Sequence, residues 1–425
     1  MRISPLRAFR SLTNFNFRIW AIGALVSNIG TWIQRTAQDW LVLTQLTHHS
    51  AAAVGVVIGL QFGPQVLLLP FTGYAADRFD RRKLLIVTQS ALGLLCLGLG
   101  LLTVTGEVRL WHVYVFAFLS GCVAAFDAPA SQTFVGDLVG DGELSNAVAL
   151  NSTSFNAARM IGPAVAGVLI ASVGTGWAFL LNAASFIAVL GSLLLLRVAD
   201  LRPRHGLASG GGRFVEGFRY VAGRPDLKAI LLMLFLVCIF GLNFPIFIST
   251  MCVTVFHGGA SAYGLLTSVM AVGTLMGALL AAGRETPRFT LLPAGAAIFA
   301  VGMVLAALSP NVWMFGAALV VIGVSALTLT NTTNALMQLS TEPAMRGRVL
   351  AMRLAIALGG TPIGAPVVGW VADRFGPRWS LVLAAGAAIA ATLVAIRYLM
   401  VHRGLRVRVE AGRPRLELSK ASALG

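Results

Sequence analysis

Polar and charged side chains interrupt the first long apolar run of this 425-residue chain at helical spacing. Asn28, Arg35, Gln38 and Asp39 share one face of a helix, because side chains three, four and seven residues apart lie on the same side. Ionisable groups within an apolar span are costly, and they mark substrate pathways or proton relays. Arg35 and Asp39 stand one helical turn apart and can pair. The pattern therefore leaves two interpretations open, a proton-coupling site within a cavity and a structural ion pair that anchors the span.

Arg159 is a further ionisable residue within an apolar run. It lies about 20 Å from the inner end of its helix, at a rise of about 1.5 Å per residue. Its partner can be Asp39, if the two helices pack together, or the carbonyl groups of a helix end. Low dielectric keeps a carboxyl group protonated, whereas an adjacent guanidinium keeps it ionised. An Asp39 that changes partner between Arg35 and Arg159 would take up and release a proton, as proton-coupled exchange requires.

A short charged connection joins two apolar runs, Ala51–Phe71 and Leu84–Thr105, that contain no charged residue. Its residues of interest are Gly73, Asp77, Arg78, Arg81 and Arg82. Gly73 allows two helices to approach closely. Asp77 can accept hydrogen bonds from the N-terminus of a neighbouring helix, where the helix dipole favours negative charge. Arg81, one turn beyond Asp77, can pair with an acid on another helix. The alternative is a generic positively charged loop.

Glycine and proline occur together in a later apolar run, in the sequence Gly162-Pro163-Ala-Val-Ala-Gly167. Proline removes a backbone hydrogen bond and kinks a helix, while small residues permit close packing against a neighbour. The segment therefore predicts either a functional kink or ordinary helix packing.

Amide and aromatic side chains in the second half of the chain are predicted to line a substrate cavity. They are Asn243, Phe247, Asn331 and Asn334. A lining that is mostly apolar and aromatic, with a few polar groups, suits amphipathic organic molecules. Hydrogen bonding between helices is the alternative role of each amide.

The elements that must position these residues are membrane-spanning helices. The chain is 57% hydrophobic and 11% charged, with a mean hydropathy of +0.82. Runs of about 20 apolar residues can cross the ~30 Å hydrocarbon core of a bilayer. The sequence therefore predicts an all-α membrane protein with twelve spans. The predicted spans are 17–46, 51–74, 84–105, 111–133, 145–173, 176–196, 228–255, 262–282, 290–308, 312–337, 349–372 and 379–398.

The longest polar interruption, 197–227, is predicted to be a cytoplasmic linker between two six-helix bundles. These bundles would occupy 17–196 and 228–398, with a cytoplasmic tail at 1–16 and a basic cytoplasmic tail at 399–425. The net charge of +16 comes from Lys and Arg in connections and tails. This distribution indicates membrane topology, with both termini cytoplasmic, rather than a surface for nucleic acid.

Several motifs resemble the major facilitator superfamily, and in particular its enterobactin-exporter and multidrug-efflux branch. The charged connection is similar to the pattern G-x-x-x-D-R-x-G-R-R/K of that superfamily, although Asp80 stands where the pattern has glycine. The other matching segments are Ser27-Asn-Ile-Gly30-Thr-Trp32, Asp127-Ala-Pro129, Asn146-Ala147, Gly162-Pro163, Pro343-Ala-Met-Arg346-Gly347-Arg348 and Gly369-Trp-Val-Ala-Asp373-Arg374-Phe-Gly376.

The resemblance implies the fold of the superfamily, with two pseudo-symmetric six-helix bundles, and transport by alternating access. It implies that Arg81 pairs with Asp127, so that Asp77, Arg81 and Asp127 form a relay that closes the inner side of the transporter. It also makes Gly162-Pro163 with Gly167 a partial form of the antiporter signature of drug-efflux facilitators.

The expected function is secondary active transport, namely proton-coupled export of small amphipathic organic molecules such as drugs, siderophores or metabolites. The expected location is the cell membrane, and the expected partners are a small-molecule substrate and membrane lipid. Neither nucleic acid nor a second subunit is expected. The proton gradient is the expected energy source, without a cofactor, a metal or catalytic residues.

Two alternatives stay open. Within the same class, the chain can be an uncoupled lipid or lysophospholipid facilitator, or an importer. From another class, it can be a membrane-embedded enzyme or a receptor. Against the enzyme, the six histidines of the sequence show no catalytic pattern, and the sequence contains no phosphate-binding loop.

Overall fold

The structure, a computed structural model, describes residues 9–68, 71–72, 78–202, 214–282, 289–403, 405–410 and 413–418. Most of this part of the chain is helical. The helices are α1 (Phe15–Trp40), α2 (Ala51–Leu67), α3 (Arg81–Val104), α4 (Leu110–Leu138), α5 (Leu144–Val173), α6 (Thr175–Leu195), α7 (Phe214–Ala222), α8 (Pro225–Leu236), α9 (Phe244–Thr250), α10 (Ala260–Ala282), α11 (Leu291–Leu308), α12 (Val312–Ser340), α13 (Arg346–Phe375) and α14 (Pro377–Arg403).

Ten segments within the described ranges are long and apolar enough to cross a membrane, and α8 and α9 together form one of them, Pro225–Val255. Two further helices complete a set of twelve. α1 is long but polar along one face, and α2 is apolar but has 17 residues. The twelve segments match the predicted spans one for one, which confirms the predicted all-α membrane fold.

Polar side chains at the start of several helices explain where these helices begin. The side chains of Asn14, Ser50 and Asp80 accept hydrogen bonds from backbone N–H groups three residues later, at 3.0–3.2 Å. Such caps satisfy N–H groups that have no partner within the helix. They set the starts of α1, α2 and α3, the helices that carry many of the candidate functional residues.

The segment Pro225–Val255 is not one regular helix. It contains two π-helical stretches, Val237–Gly241 and Met251–Val255. Pro245 has no backbone N–H and cannot donate to the carbonyl of Gly241, so the regular hydrogen bonds stop between α8 and α9. A third π-helical stretch, Leu41–Leu46, extends α1.

α4 is longer than the predicted span 111–133 and ends at Leu138. The additional residues include Phe134, Val135 and Leu138, which are almost fully buried against Trp20 and its neighbours. This packing keeps the backbone helical beyond the predicted end of the span.

The helices are grouped into two compact units. Unit one consists of Met1–Gly210, Pro245–Ala271 and Ala365–Asp373. Unit two consists of Gly211–Phe244, Val272–Gly364 and Arg374–Gly425. The predicted linker at 197–227 and the predicted bundles stay predictions.

Small residues bring helices into backbone contact within each unit. In unit one, Gly55 of α2 contacts the carbonyl group of Ala365. In unit two, a Cβ atom on Gly273 of α10 would lie 2.6 Å from the carbonyl oxygen of Val320. Such close contacts strengthen the dispersion attraction between helices. In a membrane this attraction matters, because the surrounding lipid is itself apolar and the hydrophobic effect does not drive helices together.

A two-stranded antiparallel hairpin follows α14. It consists of β1 (Leu405–Glu410) and β2 (Arg413–Leu418), with Leu405 opposite Leu418. The sequence prediction had only a basic tail here, although the alternation of aliphatic and charged residues in Leu405–Glu410 has the period of two that is typical of a strand.

Candidate functional site

Unit one contains a cavity of about 590 Å³ that is lined by residues of α1 to α6. Just over half of the lining residues carry a hydroxyl, an amide or a charge. The polar and charged ones are Ser27, Asn28, Thr31, Gln34, Arg35, Gln61, Gln65, Gln89, Ser120, Asp127, Ser131, Gln132, Asn151, Ser152 and Asn156. None of the lining residues predicted in the second half of the chain belongs to this cavity.

α1 contributes two of the predicted site residues to this cavity, Asn28 and Arg35. The guanidinium carbon of Arg35 lies 5.1 Å from the ring centre of Trp32 and 5.7 Å from that of Phe62. Both separations are within the range of cation–π attraction. The Nε atom of Arg35 is buried, and no group among the described residues accepts a hydrogen bond from it. Aromatic rings, rather than a carboxylate, hold this cation.

Asp39 lies one turn further along α1 and is buried with Gln38. Its Oδ2 atom accepts a hydrogen bond of 3.1 Å from the hydroxyl group of Tyr263 on α10. The ring of Tyr263 stacks on Trp40, with ring centres 6.0 Å apart. Asp39 and Trp40 thus both contact Tyr263 of α10, which lies more than two hundred residues further along the chain.

The predicted ion pair between Arg35 and Asp39 is wrong for this conformation. Both side chains are described, and no ion pair joins them. The physical reason is that each has another neighbour: aromatic rings contact Arg35, and the Tyr263 hydroxyl binds Asp39.

Arg159 lies on α5, which packs against α1 as the partner hypothesis required. The contact is close, because a Cβ atom on Gly162 would lie 2.5 Å from the Cβ atom of Trp32. Nevertheless, the hydrogen bond that Asp39 accepts comes from Tyr263 and not from Arg159. An exchange of partners by Asp39 stays a prediction.

Arg81 at the start of α3 binds a carboxylate, but not the predicted one. Its Nη1 atom donates to both carboxylate oxygens of Asp137, at 2.7 and 2.9 Å. Asp127 instead accepts hydrogen bonds from the Thr88 hydroxyl at 2.6 Å and from the Gln89 amide at 2.9 and 3.0 Å. The predicted pair of Arg81 with Asp127 is therefore wrong.

Helix geometry explains this correction. Asp127 precedes Asp137 by ten residues of α4, which is about 15 Å along the helix axis. An arginine at the beginning of α3 reaches the end of α4, whereas Asp127 lies at the level of Thr88, two turns into α3. Of the other residues in the charged connection, Arg78 is exposed and the Nε atom of Arg82 donates to the carbonyl oxygen of Leu193 at 2.7 Å. Gly73 and Asp77 lie outside the described residues, so the predicted relay through Asp77 stays a prediction.

The segment Gly162–Gly167 forms a close crossing of α5 and α10 within unit one. α5 stays helical through Pro163. A Cβ atom on Gly167 would lie 2.8 Å from the carbonyl oxygen of Ala260, and Gly264 faces the carbonyl oxygen of Pro163. The small residues are thus used for backbone contact between two helices, which is the packing interpretation of this motif.

The predicted lining residues of the second half do not share one environment. Asn243 is fully buried and donates to the carbonyl oxygen of Ile239 at 2.6 Å, within its own helical segment. Phe247 is buried in unit one and is not part of the lining of the 590 Å³ cavity. In unit two, Asn331 is exposed and Asn334 is half-buried on α12. This bond joins Asn243 to no second helix, and the buried Oδ1 atom of Asn243 accepts no hydrogen bond from the described residues.

Sequence reasoning missed three polar residues with defined partners, namely Asp137, Tyr263 and Arg353, and named Asp373 only as part of a matching motif. Arg353 of α13 donates to the carbonyl oxygen of Thr330 at 3.1 Å in unit two. Its signal was available, because it is an arginine inside a predicted apolar span. Tyr263 gave a weaker signal, since a tyrosine is common at the ends of spans.

Asp373 at the end of α13 binds the N-terminus of α2. Its carboxylate oxygens accept hydrogen bonds from the backbone N–H groups of Ala51 and Ala52, at 2.6 and 3.0 Å, and from the Ser50 hydroxyl at 2.8 Å. Gly369, one turn earlier, contacts the backbone of Ala51. The sequence Gly369-Trp-Val-Ala-Asp373-Arg374-Phe-Gly376 has the same spacing as the signature of the charged connection. The interaction expected of Asp77 with a helix N-terminus is therefore observed at Asp373.

Twelve spanning helices and an internal polar cavity define a membrane transporter with the fold of the major facilitator superfamily. A bacterial homologue of the human lysosomal transporter Spinster, in an inward-facing and unoccupied conformation, superposes with a TM-score of 0.72 at 16% identity, over 93% of this chain and 98% of that one. A D-xylose–proton symporter superposes with a TM-score of 0.68 at 14% identity, over 90% and 97%. At such identities the likeness concerns the fold alone.

The sequence profile of the family described as Transmembrane secretion effector matches residues 4–409, and the chain belongs to this family of the superfamily. The staphyloferrin A transporter of Staphylococcus aureus (strain NCTC 8325 / PS 47) is 25% identical over 90% of this chain and 95% of its own length. The enterobactin exporter EntS of Shigella flexneri is 27% identical over 79% of this chain and 80% of its own length. The family and these relatives are transporters, so this chain is a transporter and not an enzyme.

Proposed function

We propose that this protein is a proton-coupled exporter of small organic molecules that works by alternating access in the cell membrane. The observation that carries the proposal is the polar cavity of about 590 Å³ within unit one. Polar side chains are expensive in the interior of a membrane protein, and they are retained there where they line a pathway. A volume of this size is in the range of sites for small organic ligands.

Export, rather than import, is favoured by the family description and by one of the relatives. The description of the family refers to secretion, and EntS is named as an enterobactin exporter. The staphyloferrin A transporter adds a second siderophore as the named substrate of a relative. From these names we propose for this chain only the class of substrate, small organic molecules, and the direction of transport, out of the cell.

Proton coupling is proposed to reside in Asp39. Its carboxyl group is buried and has one described hydrogen-bond donor, the hydroxyl group of Tyr263. A carboxyl group in this setting exchanges its proton when its neighbours change. In the alternate conformation, separation from Tyr263 and approach to Arg35 or Arg159 would change the free energy of ionising Asp39. That coupling between conformation and protonation is what an antiporter needs.

The proposed orientation places both termini in the cytoplasm, because Lys and Arg are concentrated in the connections on that side. The charged connection with Arg81 and the pair that Arg81 forms with Asp137 then lie on the cytoplasmic side. The contact of Asp373 with α2 lies on the outer side.

The test is transport by purified protein in liposomes with an imposed pH gradient and a panel of radiolabelled organic acids, bases and neutral compounds. We expect at least one compound to accumulate against its gradient when the proton gradient is present. Asp39→Asn should retain downhill flux and lose gradient-driven accumulation. The matched control is Glu107→Gln, which changes an exposed acid in the loop between α3 and α4 and should behave like wild type.

Two outcomes would contradict parts of the proposal. Downhill flux that ignores the pH gradient in the wild type would favour the uncoupled facilitator. Full gradient-driven accumulation by well-folded Asp39→Asn would remove Asp39 as the coupling residue.

A further inference from the structure

We propose that Arg35 binds the carboxylate of an acidic organic substrate, so that the transported molecules are anions rather than cationic drugs. This inference rests on the proposed function, since it names the substrate class of the same cavity. It starts from the charges in the lining. Of the described residues that line the cavity, Arg35 and Asp127 are the charged ones.

The negative charge of Asp127 is already stabilised by protein groups. Three hydrogen bonds from Thr88 and Gln89 reach its two oxygens at 2.6–3.0 Å. These donors satisfy the carboxylate without a cation. Asp127 therefore has little need of a positively charged ligand.

Arg35 is in the opposite situation. A guanidinium stays protonated in proteins, and neither nearby carboxylate pairs with it. Asp39 is bound by Tyr263, and Asp127 is bound by Thr88 and Gln89. Asp39 attracts Arg35 electrostatically without forming an ion pair with it. A buried guanidinium that no carboxylate contacts is costly, and this cost makes the site receptive to an anion.

The aromatic neighbours of Arg35 favour the same conclusion. Trp32 and Phe62 hold the guanidinium through ring contacts at 5.1 and 5.7 Å. Ring contacts position the group without using its N–H donors, which lie in the guanidinium plane. These donors remain for a ligand, and their fork matches the two oxygens of a carboxylate.

The amide groups around Arg35 set the rest of the ligand chemistry. Asn28, Gln61, Gln65 and Asn151 line the same cavity, and each amide can both donate and accept hydrogen bonds. A ligand with hydroxyl or carbonyl groups fits such a lining better than a hydrocarbon. A single carboxylate balances the single cation, whereas a phosphate dianion would bring a second negative charge near Asp127 with no cation to oppose it.

The experiment compares two dyes that share a xanthene ring system, cationic rhodamine 123 and fluorescein at a mildly acidic pH, where the carboxylate is its one ionised group. Equilibrium binding to the full-length protein in lipid nanodiscs is measured by fluorescence anisotropy. We expect fluorescein to bind about tenfold or more tightly than rhodamine 123, because charge-assisted hydrogen bonds contribute at this level. Arg35→Gln should abolish this preference, and Arg35→Lys should retain part of it.

Arg18→Gln is the matched control. It removes one positive charge from the same helix, at an exposed position outside the cavity lining, and it should bind both dyes like wild type. If Arg35→Gln does not fold, the comparison of Arg35→Lys with the wild type decides the result, because the lysine lacks the planar fork.

Equal binding of the two dyes, tighter binding of rhodamine 123, or an unchanged preference in folded Arg35→Gln would overturn the inference. Absence of binding of both dyes would overturn it as well, since the cavity volume is in the range for ligands of drug size. A failure of the proposed function looks different. In that case no compound of the transport panel responds to the proton gradient, whatever the dye preference is.

Discussion

Asp373→Asn tests whether the carboxylate at the end of α13 holds the N-terminus of α2. In the structure, Oδ1 of Asp373 accepts from the Ala51 N–H, while Oδ2 accepts from the Ala52 N–H and the Ser50 hydroxyl. Asparagine has one acceptor oxygen in place of two and no negative charge. One backbone N–H group of α2 therefore loses its partner on the side chain, and the helix dipole loses a favourable charge.

The magnitude follows from these two losses. A negative charge at a helix N-terminus contributes about 0.3–1 kcal/mol, and a lost charge-assisted hydrogen bond costs about 1 kcal/mol or more. Asp373 is exposed, so the lower end of each range applies. The contact should weaken by about 1–2 kcal/mol, which corresponds to a change of about 5- to 30-fold in the equilibrium between the bound and the separated state.

Hydrogen–deuterium exchange of the peptide that contains Ala51 and Ala52 measures this equilibrium directly. We expect its exchange to accelerate by about 5- to 30-fold in Asp373→Asn, while peptides from α6 keep the wild-type rate. Glu107→Gln, which removes an exposed acid elsewhere, serves as the control. Unchanged exchange around Ala51 would refute the reasoning, and so would an equal acceleration in all helices, because that pattern indicates general destabilisation.

Two further predictions concern stability and are read from thermal unfolding in detergent. Asp137→Asn removes the carboxylate that Arg81 binds at 2.7 Å, and we expect it to lower the free energy of unfolding by about 3–5 kcal/mol; a folded Asp137→Asn variant as stable as the wild type would contradict the assignment of the pair. Gly264→Ala places a methyl group against the Pro163 carbonyl, and overpacking of this kind costs about 1–3 kcal/mol. Gly191→Ala, a glycine of α6 with no atom within 4 Å of the added Cβ, should be neutral or slightly stabilising; similar destabilisation by both variants would show that the helix crossing is not the cause.

Hydropathy was sufficient to predict the twelve spans, because burial in lipid requires long apolar helices whatever their packing. The end of α4 could not be predicted in this way. Residues 134–138 are helical because Phe134, Val135 and Leu138 pack into the core of unit one, and packing partners are not visible in a local window. The missed end of α4 had a consequence for the site, since it left Asp137 in a presumed loop, and the family resemblance assigned Arg81 to Asp127 instead.

The neighbours of the ionisable residues on α1 were harder to predict than the residues themselves. Helical spacing was enough to select Asn28, Arg35 and Asp39, because costly side chains on one face indicate a shared environment. Their partners depend on tertiary structure. Tyr263 is 224 residues away from Asp39 in the chain, and nothing in a single sequence relates the two positions.

Asp373 shows that a physical rule can be correct although it was applied to only one of the two positions that match it. The rule is that an aspartate at the end of one helix stabilises the N-terminus of another, because exposed N–H groups and the helix dipole both favour negative charge. We applied it to Asp77 from the spacing G-x-x-x-D-R, and the same spacing recurs at Gly369, Asp373 and Arg374. At the second position the structure contains the three hydrogen bonds that the rule requires. The carboxylate acts together with close packing of α2 on α13 at Gly55 and Gly369, and its own share of the contact is about 1–2 kcal/mol. We therefore expect Asp373→Asn to loosen the N-terminus of α2 while the glycine contacts keep α2 packed against α13.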